Sequence, residues 1–377
     1  MDDQASEAAS LPGTARSCLK RPRHLPEFPR PTAGKVFSVR PSRRILVSSM
    51  AVAALLATSS GLASAIPADA GRPADGAATL SARATLADGA RVDSRSEIDR
   101  LEKYWTPERM AKAVPADVPG PRAALPAAPP RGAGPTGRPG TTPAAPPLKA
   151  GERAAPRVNE SSAVGKVYFR NPVNGGDYMC SAAAINSPSK QMVTTAGHCV
   201  NTGGVNGVAG HWMQNWVYIP RYRSGARPFG TYAAKEYRSF NGWINSGDLT
   251  RDVAMVTTWP LNGARVVDAT GGHGLSWNFS RTQHMTVLGY PGNKDNGELQ
   301  WACQGTTQQD GAGPKIAMHC DFGGGSSGGP WLRELNDANG LGSQNGVMST
   351  ISSGGWNQSP YFDDPVKAMF DAQGSIT

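Results

Sequence analysis

Beyond residue 158 the chain alternates short apolar runs with clusters of turn-forming residues. Val164–Phe169, Gln191–Thr195, Val253–Thr257 and His284–Tyr290 are five to seven residues long, and Gly, Asn, Pro and Ser gather between them. That texture predicts an all-β domain, a sandwich or a barrel. Only the end reads as helix. Asp363 or Asp364 offers an N-cap, Pro365 falls in the first turn, and Val366, Met369 and Phe370 share one face.

Upstream the pattern is different. The mostly apolar run Ile45–Leu56 follows Arg40, Arg43 and Arg44 and precedes Ala63-Ser64-Ala65. A basic flank, a short apolar run and a small-x-small site predict an export signal over residues 40–65, cleaved before Ile66. The run is shorter than the roughly 20 residues of a spanning helix, which disfavours a membrane anchor. An ordinary signal has a short leader, so translation is expected to start nearer Val36 or Val39. Between Ile66 and Arg157 no motif of a packed enzyme domain is visible. One helix is predicted there, from Thr106-Pro107-Glu108 through Lys112, with a cap, a first-turn proline and a dipole-compatible acid. Pro115 to Pro156, rich in Ala, Pro and Gly, reads as a semi-rigid tether. The expected organisation is an N-terminal extension and signal (1–65), a pro-segment and linker (66–157) and a catalytic domain (158–377).

Charge sharpens this division. Residues 1–157 carry 23 Lys+Arg and 14 Asp+Glu, whereas residues 158–377 carry 15 of each. The basic character therefore belongs to the N-terminal part, and a nucleic-acid partner is not expected of the folded part. Eight of the nine tryptophans lie after residue 157, while 21 of the 31 prolines lie before it. Large aromatic side chains supply the burial that offsets chain entropy, so the core belongs to the C-terminal part.

Of five cysteines, Cys18 precedes the signal, leaving Cys180, Cys199, Cys303 and Cys320 in the exported product. An even number in an exported domain favours disulfides, and four cysteines allow three pairings. Cys180–Cys199 and Cys303–Cys320 are favoured because each closes a short loop. The competing reading is zinc, from the pairs His198-Cys199 and His319-Cys320. Neither pair has the spacing that lets ligands converge.

Two stretches carry candidate chemistry: Thr194-Thr195-Ala196-Gly197-His198-Cys199 and Gly323-Gly324-Gly325-Ser326-Ser327-Gly328-Gly329-Pro330. A serine hydroxyl is a weak nucleophile that needs a base, and imidazole titrates near working pH. A histidine just after a strand, fixed by a disulfide at the next residue, is held rigidly. A glycine-rich turn can aim two backbone N–H groups, those of Gly325 and Ser327, at one developing oxyanion. His211, His273 and His284 read as structural or solvated.

These two motifs, in His-then-Ser order, resemble the signatures of the chymotrypsin/trypsin superfamily. Ser326 before the nucleophile and the long pro-segment are more similar to its exported bacterial branch, which includes the glutamyl endopeptidases. The resemblance spans roughly residues 160–377. It implies a double β-barrel, a site between the barrels and endopeptidase activity through an acyl-enzyme. It also implies a third catalytic residue between the other two in chain order. Asp252, leading Val253-Ala254-Met255-Val256, fits better than Asp248 or Asp268. Trypsin-like activation relies on an aspartate where this chain has Ser326, so the pro-segment is expected to act as a folding aid or a cleft blocker. Asp321, six residues before Ser327, and Ser349 are candidate specificity-pocket residues. Met348 stands where a glutamate-reading histidine is expected, so a basic rather than an acidic preference is suggested. The expectation is a secreted, monomeric serine endopeptidase acting on proteins or peptides, with no cofactor, metal, nucleic acid or, after signal cleavage, membrane partner. An esterase or narrow processing hydrolase, and a non-catalytic binding module on the same fold, are the alternatives.

Overall fold

The computed structural model describes residues 75–116, 137–148, 160–311, 313–352 and 354–377, all within one compact unit, Pro67–Thr377. The expected export signal, Cys18 and much of the tether lie outside the described residues. The first described elements are β1 (Thr79–Arg83), α1 (Arg95–Tyr104), α2 (Pro107–Lys112), β2 (Val114–Pro115) and β3 (Gly140–Thr141).

The next six strands are β4 (Val164–Arg170), β5 (Asp177–Ala184), β6 (Met192–Thr195), β7 (Gln214–Pro220), β8 (Tyr232–Phe240) and β9 (Ala254–Thr258), with α3 (Asn241–Ser246) before the last. They hydrogen-bond in the order β8-β7-β4-β5-β6-β9, and β9 pairs back to β8. This closes a six-stranded antiparallel barrel, which leaves no open edge in the ring. Val167, Tyr218, Val256 and Ala182 are among its fully buried residues.

The rest of the chain builds a second barrel. Its elements are α4 (Val266–Thr270), β10 (Gly274–Trp277), β11 (His284–Gly289), β12 (Trp301–Thr306), β13 (Gln308–Gln309), β14 (Ile316–His319), β15 (Pro330–Asn336), β16 (Leu341–Val347), β17 (Thr350–Ile351), β18 (Trp356–Ser359) and α5 (Asp364–Gly374). One sheet runs β12-β11-β15-β16-β10-β3 and another β13-β14-β18-β17. Across Thr307 β12 leads into β13, and across Met348-Ser349 β16 leads into β17, so the two sheets meet at both corners. The second corner interrupts the extended run between Val347 and Thr350, and the break has a cause. Met348 N–H donates to Gly329 O (2.8 Å) while its carbonyl accepts from Gly328 N–H (2.7 Å), tying this corner to the loop that carries Ser327.

The fold is therefore all-β with a C-terminal helix, as the alternating runs and the pattern after Asp363 predict, and it has the two barrels that the family resemblance implies. The four apolar runs become β4, β6, β9 and β11, each within one residue at either end. In α5, Asp363 caps by accepting from Val366 N–H (3.4 Å), and Val366, Met369 and Phe370 are buried. They pack against Ile185, Met192 and Met255 of the first barrel and Leu275 and Val347 of the second, bridging the two.

The region before residue 157 differs from its sequence reading. The predicted helix forms as α2, with the Thr106 hydroxyl accepting from Arg109 N–H (3.3 Å). It is part of a larger docked unit. β1 adds to β8 over five residue pairs, β2 adds in parallel to β5, and β3 adds to β10. Val92, Leu101 and Trp105 are each 1% exposed and belong to the same core cluster as the first barrel. Their apolar positions are sparse among charges, so the sequence alone gives them no core of their own.

Candidate active site

His198 and Asp252 pair directly, and the backbone of Ser327 lies beside the His198 turn, its carbonyl 3.8 Å from Cys199 Sγ. His198 lies in a short 3-10 turn, Gly197–Cys199, directly after β6, and Asp252 lies two residues before β9, the strand paired with β6. Adjacent strands thus deliver both residues to one end of the first barrel. His198 Nδ1 is 2.8 Å from Asp252 Oδ2, and His198 backbone N–H donates to Asp252 Oδ1 (2.8 Å). The Ser349 hydroxyl, from the corner between β16 and β17, donates to Asp252 Oδ2 (2.7 Å). Asp252 is fully buried. Burial pushes its carboxyl up, but the adjacent imidazole and the three hydrogen bonds outweigh that and hold it below the ordinary carboxylate range. Gly197 is required here by close approach. A Cβ at that position would lie 2.8 Å from Trp243 Cδ1 and 2.9 Å from Asp252 Oδ1.

The second barrel supplies the serine. Ser327 lies in the tight loop before β15, and the hydroxyl of the preceding Ser326 donates to Gly323 O (2.7 Å). Gly325 has φ +88°, and a Cβ there would meet Met179 Cε at 2.7 Å and Tyr290 O at 2.9 Å. Only glycine fits both the torsion and the space. Among the described residues, the N–H groups of Gly325 and Ser327 find no hydrogen-bond acceptor. Ser181, on β5, clamps this loop to the first barrel. Its N–H donates to Ser327 O (2.7 Å), its hydroxyl donates to Gly325 O (2.8 Å), and it accepts from Tyr290 N–H (2.9 Å). Sequence reasoning missed Ser181. Its one signal is adjacency to Cys180, whose bridge to Cys199 ties β5 to the His198 turn.

The second bridge is Cys303–Cys320. Among the described residues, one group of metal-ligating side chains converges, Cys180, His198 and Cys199. Both sulfurs are bonded to each other, so the group offers a single imidazole. Asp321 lies at the surface with a side chain 62% exposed, and its carboxylate pairs with Lys294 (3.2 Å). A pocket that reads a basic side chain needs a buried carboxylate left open for it, and this position does not provide one. Ser349 faces Asp252.

One further residue reaches the site. Ser327 Oγ donates to the carbonyl of Ala116 (3.3 Å), just past β2. Among the described residues, His198 Nε2 is buried without a hydrogen-bond partner.

The sequence matches no family profile. Solved structures place the fold. Protease Anisep from Arthrobacter nicotinovorans is 29% identical, with a TM-score of 0.53, over 58% of this chain and 98% of its own. AL20, a thermostable serine protease from an extremophilic microorganism, is 31% identical over 58% of this chain and 99% of its own, also with a TM-score of 0.53. Among curated proteins, an extracellular metalloprotease of Bacillus subtilis (strain 168) is 25% identical over 145 residues, 36% of this chain. The chain spans 41% of that relative's length. With its closed six-stranded barrel and its likeness to these proteases, the chain belongs to the chymotrypsin-like serine proteases. Its enzyme class is that of a serine endopeptidase.

Proposed function

We propose that the chain is exported, that residues 66–157 form a pro-segment, and that residues 158–377 are a monomeric endopeptidase working through Ser327, His198 and Asp252. The observation that carries this reading is a buried, hydrogen-bonded His198–Asp252 couple beside Ser327, which sits in a glycine turn whose two N–H groups find no acceptor among the described residues. Two disulfides and an extracellular relative support export.

In this reading Ser327 Oγ attacks the scissile carbonyl carbon while His198 Nε2 takes its proton. Asp252 keeps the other ring nitrogen protonated and stabilises the imidazolium. The oxyanion gains hydrogen bonds from Gly325 and Ser327 N–H. The C–N bond then breaks as His198 returns the proton to the leaving amine, giving an acyl-enzyme. Water, deprotonated by His198, attacks the acyl carbonyl and frees Ser327. Losing one oxyanion donor costs about 3 kcal/mol of barrier.

Casein digestion, together with the pre-steady-state burst on an activated ester, tests the proposal. Wild type freed of residues 66–157 is expected to show both, and Ser327→Ala neither. An ester burst without proteolysis favours the narrower hydrolase, and loss of neither in Ser327→Ala contradicts the assignment.

A further inference from the structure

Immediately before β14 the fold buries a lysine. Lys315 is 7% exposed. Its Nζ donates to Thr350 Oγ1 (2.7 Å) and to Gln358 Oε1 (3.3 Å), and among the described residues no carboxylate lies within ion-pair distance of it. Thr350 directs its own proton to Gln358 Oε1, and Gln358 Nε2 donates to Asp310 Oδ2 (2.7 Å), so both acceptor oxygens are fixed. Asp310 N–H in turn donates to Lys315 O (2.9 Å). Burying an ammonium without a direct counter-ion is costly. A charge placed in this way beside a reacting centre is a means of tuning its protonation.

The network lies behind the corner between β16 and β17. Thr350 follows Ser349, whose hydroxyl holds Asp252 Oδ2, so consecutive residues hold the carboxylate and the ammonium. The carboxylates acting on Lys315 come from three places: Asp252 before β9, Asp310 after β13 and Asp248 in the loop after α3. Burial pushes the ammonium below the ordinary lysine range, and these three charges, Asp252 first, oppose that. The strongest partners of Asp252 are His198 and Ser349, so Lys315 acts on it as a more distant charge. Arg251, the neighbouring cation, is engaged by Asp363 (2.9 Å). His198 faces Asp252 and the ring of Trp243, with centroids 6.2 Å apart. A cation beside Asp252 favours its carboxylate form and opposes a second positive charge on His198.

We propose that Lys315 is a positioning residue for the His198–Asp252 couple: its buried charge, held by Thr350 and Gln358 behind Ser349, keeps Asp252 a carboxylate and His198 an unprotonated base further into acid. The proposal rests on the serine-protease reading of that couple. With Lys315 in place the imidazolium is disfavoured, so the base becomes available at lower pH. Removing the charge therefore moves the acid limb of kcat/KM upward.

The test compares wild type, Lys315→Met, Lys315→Arg and Asp310→Asn in two measurements. The first is the pH profile of kcat/KM on an activated ester, with each protein expressed as the full chain and then freed of residues 66–157. The second is the titration of the His198 ring by NMR in the uncut full chain, which needs no turnover. Lys315→Met is expected to raise the acid limb and the ring titration by about half a pH unit to one unit. Below the limb its kcat/KM then falls about three- to tenfold, with a smaller change on the plateau. Lys315→Arg keeps the charge and is expected to restore the wild-type limb. Asp310→Asn removes an opposing charge and is expected to move both readouts down; it decides the matter should Lys315→Met misfold. A limb that stays in place while the plateau falls makes Lys315 a packing residue and overturns the proposal. An equal shift in Lys315→Met and Lys315→Arg, or an upward shift in Asp310→Asn, overturns it too. If the ring titration shifts as expected while wild type shows neither proteolysis nor ester turnover, the endopeptidase reading falls and the role of Lys315 stands.

Discussion

The two barrels contribute to the site in different ways. The first offers side chains: an imidazole and a carboxylate from adjoining strands, fixed by burial and three hydrogen bonds on Asp252. The second offers backbone: a turn with Gly325 at φ +88° that carries Ser327, with the N–H groups of both residues lacking an acceptor among the described residues. The first half depends on charge, so conservative changes of charge should damage it. The second depends on torsion and space, so adding one methyl group should be enough. The two halves meet at single residues that cross the seam. Ser349 crosses from the second barrel to Asp252, and Ser181 crosses from the first to the glycine turn.

The largest effect expected of a near-isosteric change falls on the first half. Asp252→Asn keeps the shape but removes the charge and favours the wrong imidazole tautomer, and kcat is expected to fall about 10⁴-fold. A fall of less than tenfold would put the orienting role elsewhere. The same variant alters stability. A carboxyl held below its ordinary range in the fold stabilises at pH above that range, and this stabilisation is lost as pH falls through the folded value. Acid unfolding of the wild type should thus contain a low-pH component that Asp252→Asn lacks, visible by circular dichroism.

Gly325→Ala tests the backbone half. Its Cβ has no room beside Met179 and Tyr290 O and its φ is positive, so the turn must shift. A 10²- to 10³-fold loss in kcat, of the order seen on removing one oxyanion donor, is expected with KM little changed. The low-field proton resonance of the His198–Asp252 hydrogen bond should survive in Gly325→Ala and vanish in Asp252→Asn. Loss of that resonance in both would mean that the halves are not separable.

The smallest effect concerns the seam. His273 is fully buried where the barrels join. Its N–H donates to Ala184 O (2.9 Å) and its Nδ1 accepts from Gly342 N–H (3.1 Å). Burial pushes its imidazole down to about 3. The unfolded chain binds a proton here near pH 6.5 and the folded one does not, so stability is full above about 6.5 and declines toward 3. The slope is about 1.4 kcal/mol per pH unit at most. His273→Gln should flatten the melting-temperature profile between pH 6.5 and 4 without changing activity at neutral pH. An unchanged slope would show that other groups carry the acid sensitivity.

What was legible in the sequence follows the same division. The His198 and Ser327 runs are contiguous, so their chemistry can be read locally. The strand that Asp252 leads could also be read from its apolar pattern. Ser181 could not, because its partners Gly325 and Ser327 lie more than 140 residues away and give it no local signature. The docked segment was hidden for a related reason. Leu101, Trp105 and Met110 bury only against the barrel, so their spacing amid charges reads as a mostly solvated stretch. The solitary tryptophan before residue 157 was the available clue. Asp321 shows the opposite failure. Counting back from Ser327 assumes a shared backbone path, and a left-handed residue at Asp321 (φ +51°) puts its carboxylate at the surface.

The central claim is that Ser327 is a nucleophile activated by His198. Mapping a fluorophosphonate adduct by peptide mass spectrometry, on enzyme freed of residues 66–157, tests it most directly. The account predicts one adduct, on Ser327, with labelling slowed by several orders of magnitude in His198→Ala. An adduct on another residue, or labelling of Ser327 at an unchanged rate in His198→Ala, would contradict it.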